Sequence, residues 1–154
     1  MATTLQVAVD EIYGKLKTVW DAQTPAIVGG SPATPALLLY EDTEWKGRPD
    51  EPTADPWARV SIRHASGQQV TLADSTSKRL FRNYGAVTVQ CFAPMRDNRG
   101  APVARQLAEV VKAAFEGAST TNVWFQSVRF NEVGREGLFF QLNVVANFEW
   151  DEAR

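Results

Sequence analysis

The chain has a single cysteine, Cys91, and a single histidine, His64, among its 154 residues. One cysteine excludes an intrachain disulfide. Together with one histidine it also excludes a zinc site built from Cys and His side chains of one chain. A thiol-poor chain of this kind fits reducing, intracellular surroundings. No stretch is continuously apolar for the ~20 residues a membrane helix requires, and the N-terminus carries no basic segment leading into an apolar run. Membrane insertion and secretion are therefore not expected. Charge of one sign is lacking too: 16 Lys and Arg stand against 18 Asp and Glu, for a net charge of −2. No Lys/Arg block occurs, so counterion release has no source and specific nucleic-acid binding is not expected.

Catalytic signatures are equally sparse. Gly29-Gly30 runs into Ser31-Pro32 and not into a helix, which removes the geometry of a phosphate-binding loop. His64 has no serine in a nucleophile motif to activate, so its expected place is the edge of a core or a subunit contact. Cys91 falls on an apolar strand face, where a thiol behaves as a small hydrophobe. Glu41, Asp42, Glu44, Asp50, Glu51 and Asp55 lack the ligand spacing of a calcium loop and read as a solvated acidic loop. Trp45, Trp57, Trp124 and Trp150 have no accompanying basic groove, so a base-stacking platform is not indicated. They read as core or interface residues, and Trp45 stands out because its neighbours are polar. No catalytic residue, cofactor or metal ligand is assigned.

What remains is a globular composition, with 44% hydrophobic and 22% charged residues. A chain of this length buries roughly 70% of its unfolded surface, enough for one domain over residues 1–154 without a covalent or metal staple. Leu5, Val9, Ile12, Leu16 and Val19 step by four and three, predicting an amphipathic helix capped by Thr3 or Thr4 and ending near Trp20. Pro25, Gly29, Gly30, Pro32 and Pro35 predict irregular chain up to a short buried strand at Ala36 to Tyr40. Glu41 to Asp55, proline-rich and acidic, predicts a long loop. Trp57 to His64 alternates as a strand, with Ala58, Val60, Ile62 and His64 on one face. Ser66 to Arg82 reads as a polar connection whose basic end folds back as strand, and Gly85 to Phe92 as a second long strand.

Pro94 to Pro102 reads as a turn region. Val103, Leu107, Val110, Val111, Ala114 and Phe115 keep helical spacing after it, with Gly117 as the stop. The last third reads as a hairpin, Asn122 to Val133 and Leu138 to Trp150 around residues 134–137. In its second arm Leu138, Phe140, Leu142, Val144, Ala146, Phe148 and Trp150 share one face, and Gln141, Asn143, Asn147 and Glu149 the other. The order predicts an α+β fold: a largely antiparallel, mixed sheet with two helices packed on one face.

Several of these segments, taken in order, resemble the tail terminator family of long-tailed bacteriophages, also called tail completion or minor tail proteins. They are Pro56-Trp57-Ala58-Arg59-Val60-Ser61 leading into the histidine strand, the Arg79 to Phe92 strand and Phe115-Glu116-Gly117 at the helix end. Val123-Trp124-Phe125, Asn131-Glu132-Val133-Gly134, Phe140-Gln141-Leu142-Asn143-Val144 and Phe148-Glu149-Trp150-Asp151-Glu152 complete the pattern. The resemblance implies a structural virion protein with no enzymatic activity. It implies a homo-oligomeric ring, typically a hexamer, that caps the tail tube, ends its polymerisation and offers a surface for head–tail joining.

The implied partners are further copies of the chain, the tail tube protein and the head–tail connector or neck protein, with genomic DNA only passing through the lumen and no membrane. The implied location is the tail or neck of the virion, after synthesis in the host cytoplasm. Loops displayed from a rigid sheet suit such contacts, which places Trp45, Lys46, Arg48, Lys78 and Arg79 at interfaces. Gln141, Asn143 and Glu149 are the residues that would face a hydrated lumen. Two other readings stand beside this one: a head-completion or neck adaptor, and a small-molecule-binding α+β domain with a pocket of Trp57, His64 and Glu132.

Overall fold

The computed structural model describes residues 3–41, 55–70, 79–95 and 98–153. Trp45, Lys46, Arg48 and Lys78, and most of the acidic loop, lie outside the described residues. Helix α1 runs from Leu5 to Gln23, and its N-cap Thr4 accepts from the backbone N–H of Val7. The residues it buries are Ala8, Ile12, Leu16 and Trp20. That stripe is rotated from the one the apolar spacing predicts, since Leu5 is 52% exposed. Trp20 is the reason: its large side chain is fully buried and its indole N–H donates to the Ala36 carbonyl at 2.7 Å, turning the helix about that anchor. The helix also outruns its expected end, and a short helix α2, Pro25–Val28, occupies chain expected to be irregular. Pro25 stands at the start of α2, where its missing N–H costs nothing.

Among the described residues five strands form one sheet in the order β1-β2-β3-β5-β4. These are β1, Leu37–Leu39; β2, Trp57–Gln69; β3, Leu80–Pro94; β4, Val123–Glu136; and β5, Phe139–Ala153. All neighbours are antiparallel except β1 and β2, which run parallel. The polar connection expected from Ser66 onward is shorter than its composition suggested. β2 continues to Gln69 and β3 begins at Leu80, because paired backbone satisfies its N–H and C=O groups whatever the side chains. The hairpin turn is tighter as well. Glu136 pairs with Phe139, leaving only Gly137 and Leu138 between the strands, and Gly137 takes φ +61°, as the first central residue of a type II′ turn does. Leu138 consequently leaves the inner face and is 45% exposed.

Helix α3, Gly100–Phe115, covers the inner face of the sheet and packs against α1. It begins ahead of Pro102, which still falls in the first turn, and Gly117 follows its end at φ +63°. Between the layers lie Ile12, Leu16, Leu107, Val111 and Phe115 from the helices and Val60, Val87, Val89, Leu142, Val144 and Phe148 from the sheet. Each such side chain contributes about 1.5–3 kcal/mol relative to exposure. Polar ties fix the helices on this core. Glu11 accepts from the Thr120 hydroxyl at 3.0 Å, the Asn122 side-chain amide at 3.0 Å and the Asn122 backbone N–H at 3.2 Å, holding α1 to the start of β4. At the other end of α1 the buried Thr24 hydroxyl donates to the Trp20 carbonyl at 2.7 Å and accepts from the Ala36 N–H at 3.0 Å. The α+β class, the mixed sheet and the packing of the helices on one face agree with the sequence reading.

Candidate functional site

With both long helices on one face, the alternation of β2, β3, β5 and β4 sends its second set of side chains to the other. At one end of this second face Trp57 stacks on Phe92, with ring centroids 4.3 Å apart and planes at 14°, and Phe139 meets Trp57 edge-on at 6.4 Å. Leu39 packs against this trio, which is separate from the main core. Arg59 sits with its guanidinium carbon 5.9 Å from the Phe92 ring centroid and donates to the Gln90 side chain at 2.7 Å. The aromatic group therefore gives rigidity to a face that is otherwise polar.

Beyond it the polar side chains bond mainly to one another. The Gln141 amide donates to Asn143 at 2.9 Å, Gln126 donates to Glu149 at 2.8 Å, and Asn147 donates to the Ser127 hydroxyl at 3.0 Å. Arg82 grips Asp151 with two bonds of 2.8 and 2.9 Å, and Arg63 pairs with Glu41 at 2.6 Å. Glu41 also accepts from the backbone N–H of Ile62 at 2.9 Å, which draws the chain after β1 over the edge of this face. A concavity of about 750 Å³ opens between Tyr40, Glu41, Arg59, Ser61, Arg63 and Gln90. Of the arginines on this face, Arg63 and Arg82 pair with Glu41 and Asp151, while Arg59 and Arg129 bond the side-chain amides of Gln90 and Asn147; exposed ion pairs are worth about 0–1 kcal/mol each. Chemically the surface is polar, and many of its side chains are bonded to one another.

The three residues assigned to a lumen share this face. Asn143 and Glu149 are half-buried, whereas Gln141 is only 7% exposed. Arg79 is exposed just ahead of β3. The sheet ends on β4, a 14-residue edge strand that carries three exposed apolar side chains, Trp124, Phe130 and Val133. The chain just before β4 folds back on the first residues of this edge, with Ser119 bridged to Trp124 and the Phe125 N–H donating to the Ala118 carbonyl, so it is the later part of the strand that offers N–H and C=O groups to another chain.

The residues of the alternative pocket do not converge. Trp57 belongs to the aromatic trio on the open face. His64 lies on the helix side, its ring edge-on to Phe148 at 5.6 Å and to Trp150 at 6.5 Å. Glu132 is on β4, paired with Arg105 of α3 at 2.9 Å. Burial lowers the His64 pKa, and the nearby Glu41 charge works in the opposite direction. Burial alone raises the Cys91 thiol far above its ordinary value. Among the described residues no group of three or more His, Cys, Asp or Glu side chains is placed to hold a metal ion, and no helix is long and apolar enough to cross a membrane.

Residue types alone do not single out Glu41 or Glu11, because each owes its role to partners distant in sequence. By residue type Glu41 reads as part of a solvated loop, and only its pairing with Ile62 and Arg63 distinguishes it.

No family model matches the chain, and no curated protein matches it. Among solved structures, one protein whose name states no function is 14% identical, with 90% of this chain and 94% of that chain covered and a TM-score of 0.48. Another solved chain, from the virion of a native gene transfer agent particle, is 18% identical, with 96% of this chain and 99% of that chain covered and a TM-score of 0.46. TM-scores below 0.5 leave both likenesses without weight for function.

Proposed function

We propose that this chain is a structural subunit of a phage-type virion, and specifically a tail terminator: a ring that caps the tail tube, stops its growth and presents a surface for head–tail joining. The ordered set of segments from Pro56 to Glu152 that resembles the tail terminator family is what carries this reading. The division of the sheet into two unlike regions supports it. The edge at β4, with Trp124, Phe130 and Val133 exposed, suits a lateral contact between identical chains, and a head-to-tail contact of that type gives a ring when its rotation closes. The polar face bearing Asn143 and Glu149 suits a hydrated channel wall, since among the described residues its arginines, Arg59, Arg63, Arg82 and Arg129, are each tied to a neighbouring side chain and not left free to grip passing phosphates. The matched chain of the gene transfer agent virion accords with this reading without adding weight to it.

Tail tube polymerisation provides the test. Purified tail tube subunits, assembled with and without this protein and imaged by negative stain, should give shorter tubes with a distinct cap in its presence. Tubes of unchanged length, together with binding to the portal-side neck protein, would overturn the terminator in favour of the head-completion adaptor.

A further inference from the structure

We propose that copies of the chain join edge to edge into one continuous sheet, with residues 128–135 of β4 paired antiparallel to residues 62–69 of β2 in the next copy. This rests on the ring reading and names the surface that meets β4. β1 pairs only with Trp57, Ala58 and Arg59, so beyond them β2 has no strand on its outer side among the described residues. The sheet thus has two long open edges, the later part of β2 and the later part of β4. The two strands run in opposite directions, because β2 and β5 are both antiparallel to β3 and β4 is antiparallel to β5. A copy set alongside with the same face outward therefore presents its β2 antiparallel to β4. Such a contact uses both edges of every copy, whereas a foreign strand on β4, or a second β4, leaves the β2 edge open. The occupant that completes the sheet is a second copy of this chain.

The register follows from where each edge is already covered. β4 is covered near its start by Ala118 and Ser119, and β2 near its start by β1. Through the pairings Phe130 stands level with Val144 and Val89, and Gly67 stands level with Asn83, six residues away along β3. Shifting the next copy by those six residues sets its Gly67 opposite Phe130. The β1 of that copy then lies past the end of β4, and the fold-back before β4 lies past the end of β2, so neither obstructs the pairing. Each copy adds four long strands, β2, β3, β5 and β4. A six-residue stagger over four strands, at about 3.3 Å per residue and about 4.8 Å between strands, tilts them by about 45°. Closed sheets tilt by about 35–45°, so this stagger is one on which a ring closes. The register also matches side chains. Phe130, 43% exposed, covers the exposed Gly67, as aromatics cover glycines on sheet edges. Glu132 stands opposite His64, and the exposed Arg135 opposite Ile62, whose N–H is held by the Glu41 carboxylate.

Arg129 and Gln68, both exposed, are directly opposite in this register. Residues so placed have Cα atoms about 4.5–5.5 Å apart, within reach of a disulfide. The full chain carrying Arg129→Cys and Gln68→Cys, oxidised with diamide, should give on non-reducing gels a ladder of linked chains ending at the number of copies that light scattering finds in the parent ring. Cys91 is fully buried and adds no link. Each single variant should stay unlinked. Ring-sized particles whose double variant forms no ladder overturn the strand pairing and leave the ring standing. A linked dimer from Arg129→Cys alone also overturns it, since two β4 edges would then meet. One chain's mass at every concentration removes the ring and the pairing with it. Hydrogen exchange of the parent carries the test if the double variant does not fold. The outward amides of residues 128–132 and of residues 65–68 should both exchange about tenfold more slowly in the ring than in the dilute chain, the scale of one hydrogen bond. Slowing confined to β4 overturns the pairing.

Discussion

Replacing Thr24 with valine probes the joint between α1 and β1 through one oxygen atom. Thr24 is fully buried, and its hydroxyl spans two segments by donating to the Trp20 carbonyl at 2.7 Å and accepting from the Ala36 N–H at 3.0 Å. Valine keeps the shape and removes both bonds. The Trp20 carbonyl still receives the Thr24 backbone N–H at 3.0 Å, but the Ala36 N–H, on a residue 5% exposed, loses its acceptor. An orphaned buried donor costs about 1–3 kcal/mol. For a domain of this size each kcal/mol moves Tm by about 2–4 °C, so Thr24→Val should lower Tm by about 2–12 °C. Thr24→Ser keeps both hydrogen bonds and loses one methyl group, about 0.5–1.5 kcal/mol by analogy with Ile→Val. Urea unfolding of the three proteins, with the m-value checked for constancy, measures the difference. The valine variant should be the least stable. A valine variant within about 0.5 kcal/mol of the parent, or a serine variant less stable than valine, would refute the reasoning, since 0.5 lies below the orphan penalty.

Two glycines should respond in opposite directions. A Cβ on Gly85 would come within 2.5 Å of Phe148 and 2.6 Å of the Arg63 carbonyl, so Gly85→Ala should cost about 1–3 kcal/mol, whereas Gly14 in α1 has open space and Gly14→Ala should stabilise by up to about 1 kcal/mol. Equal effects in urea unfolding would contradict this packing. Cys91, fully buried with its thiol pKa raised, should resist Ellman's reagent at pH 8 until the protein is unfolded, and rapid labelling of the native chain would count against its placement. His64 has a folded-state pKa below its ordinary 6.5, so the unfolded chain binds the proton more readily. Its contribution to stability is complete above pH 6.5 and is lost as pH falls towards the lower folded value. The stability difference between the parent and His64→Phe should therefore change across that window, and a difference independent of pH would exclude the effect.

The sequence carried most of the fold because the inner face of β5 keeps strict alternation from Phe140 to Trp150, and α3 repeats its apolar residues every three or four positions. Both patterns report burial directly. The buried stripe of α1 was less legible, because the apolar spacing includes the exposed Leu5 and the only partly buried Val9 and Val19, and passes over the fully buried Ala8 and Trp20. The hydrogen bond from Trp20 to Ala36 sets the rotation, and no local pattern encodes it. The length of β2 and β3 beyond His64 and before Gly85 was hidden by polar side chains, since backbone pairing there does not depend on apolar alternation. The open face was foreseen as polar, yet its aromatic trio was not, because Trp57, Phe92 and Phe139 come from three separate strands.

The most direct test of the ring is the mass of the purified protein by light scattering behind a sizing column, alone and mixed with tail tube subunits. A tail terminator should run as a closed ring, with a hexamer at about six times the 17.0 kDa of one chain, or join the tube subunits in a complex that stops their growth. A particle of one chain's mass at every concentration, unchanged by the tube subunits, would contradict it.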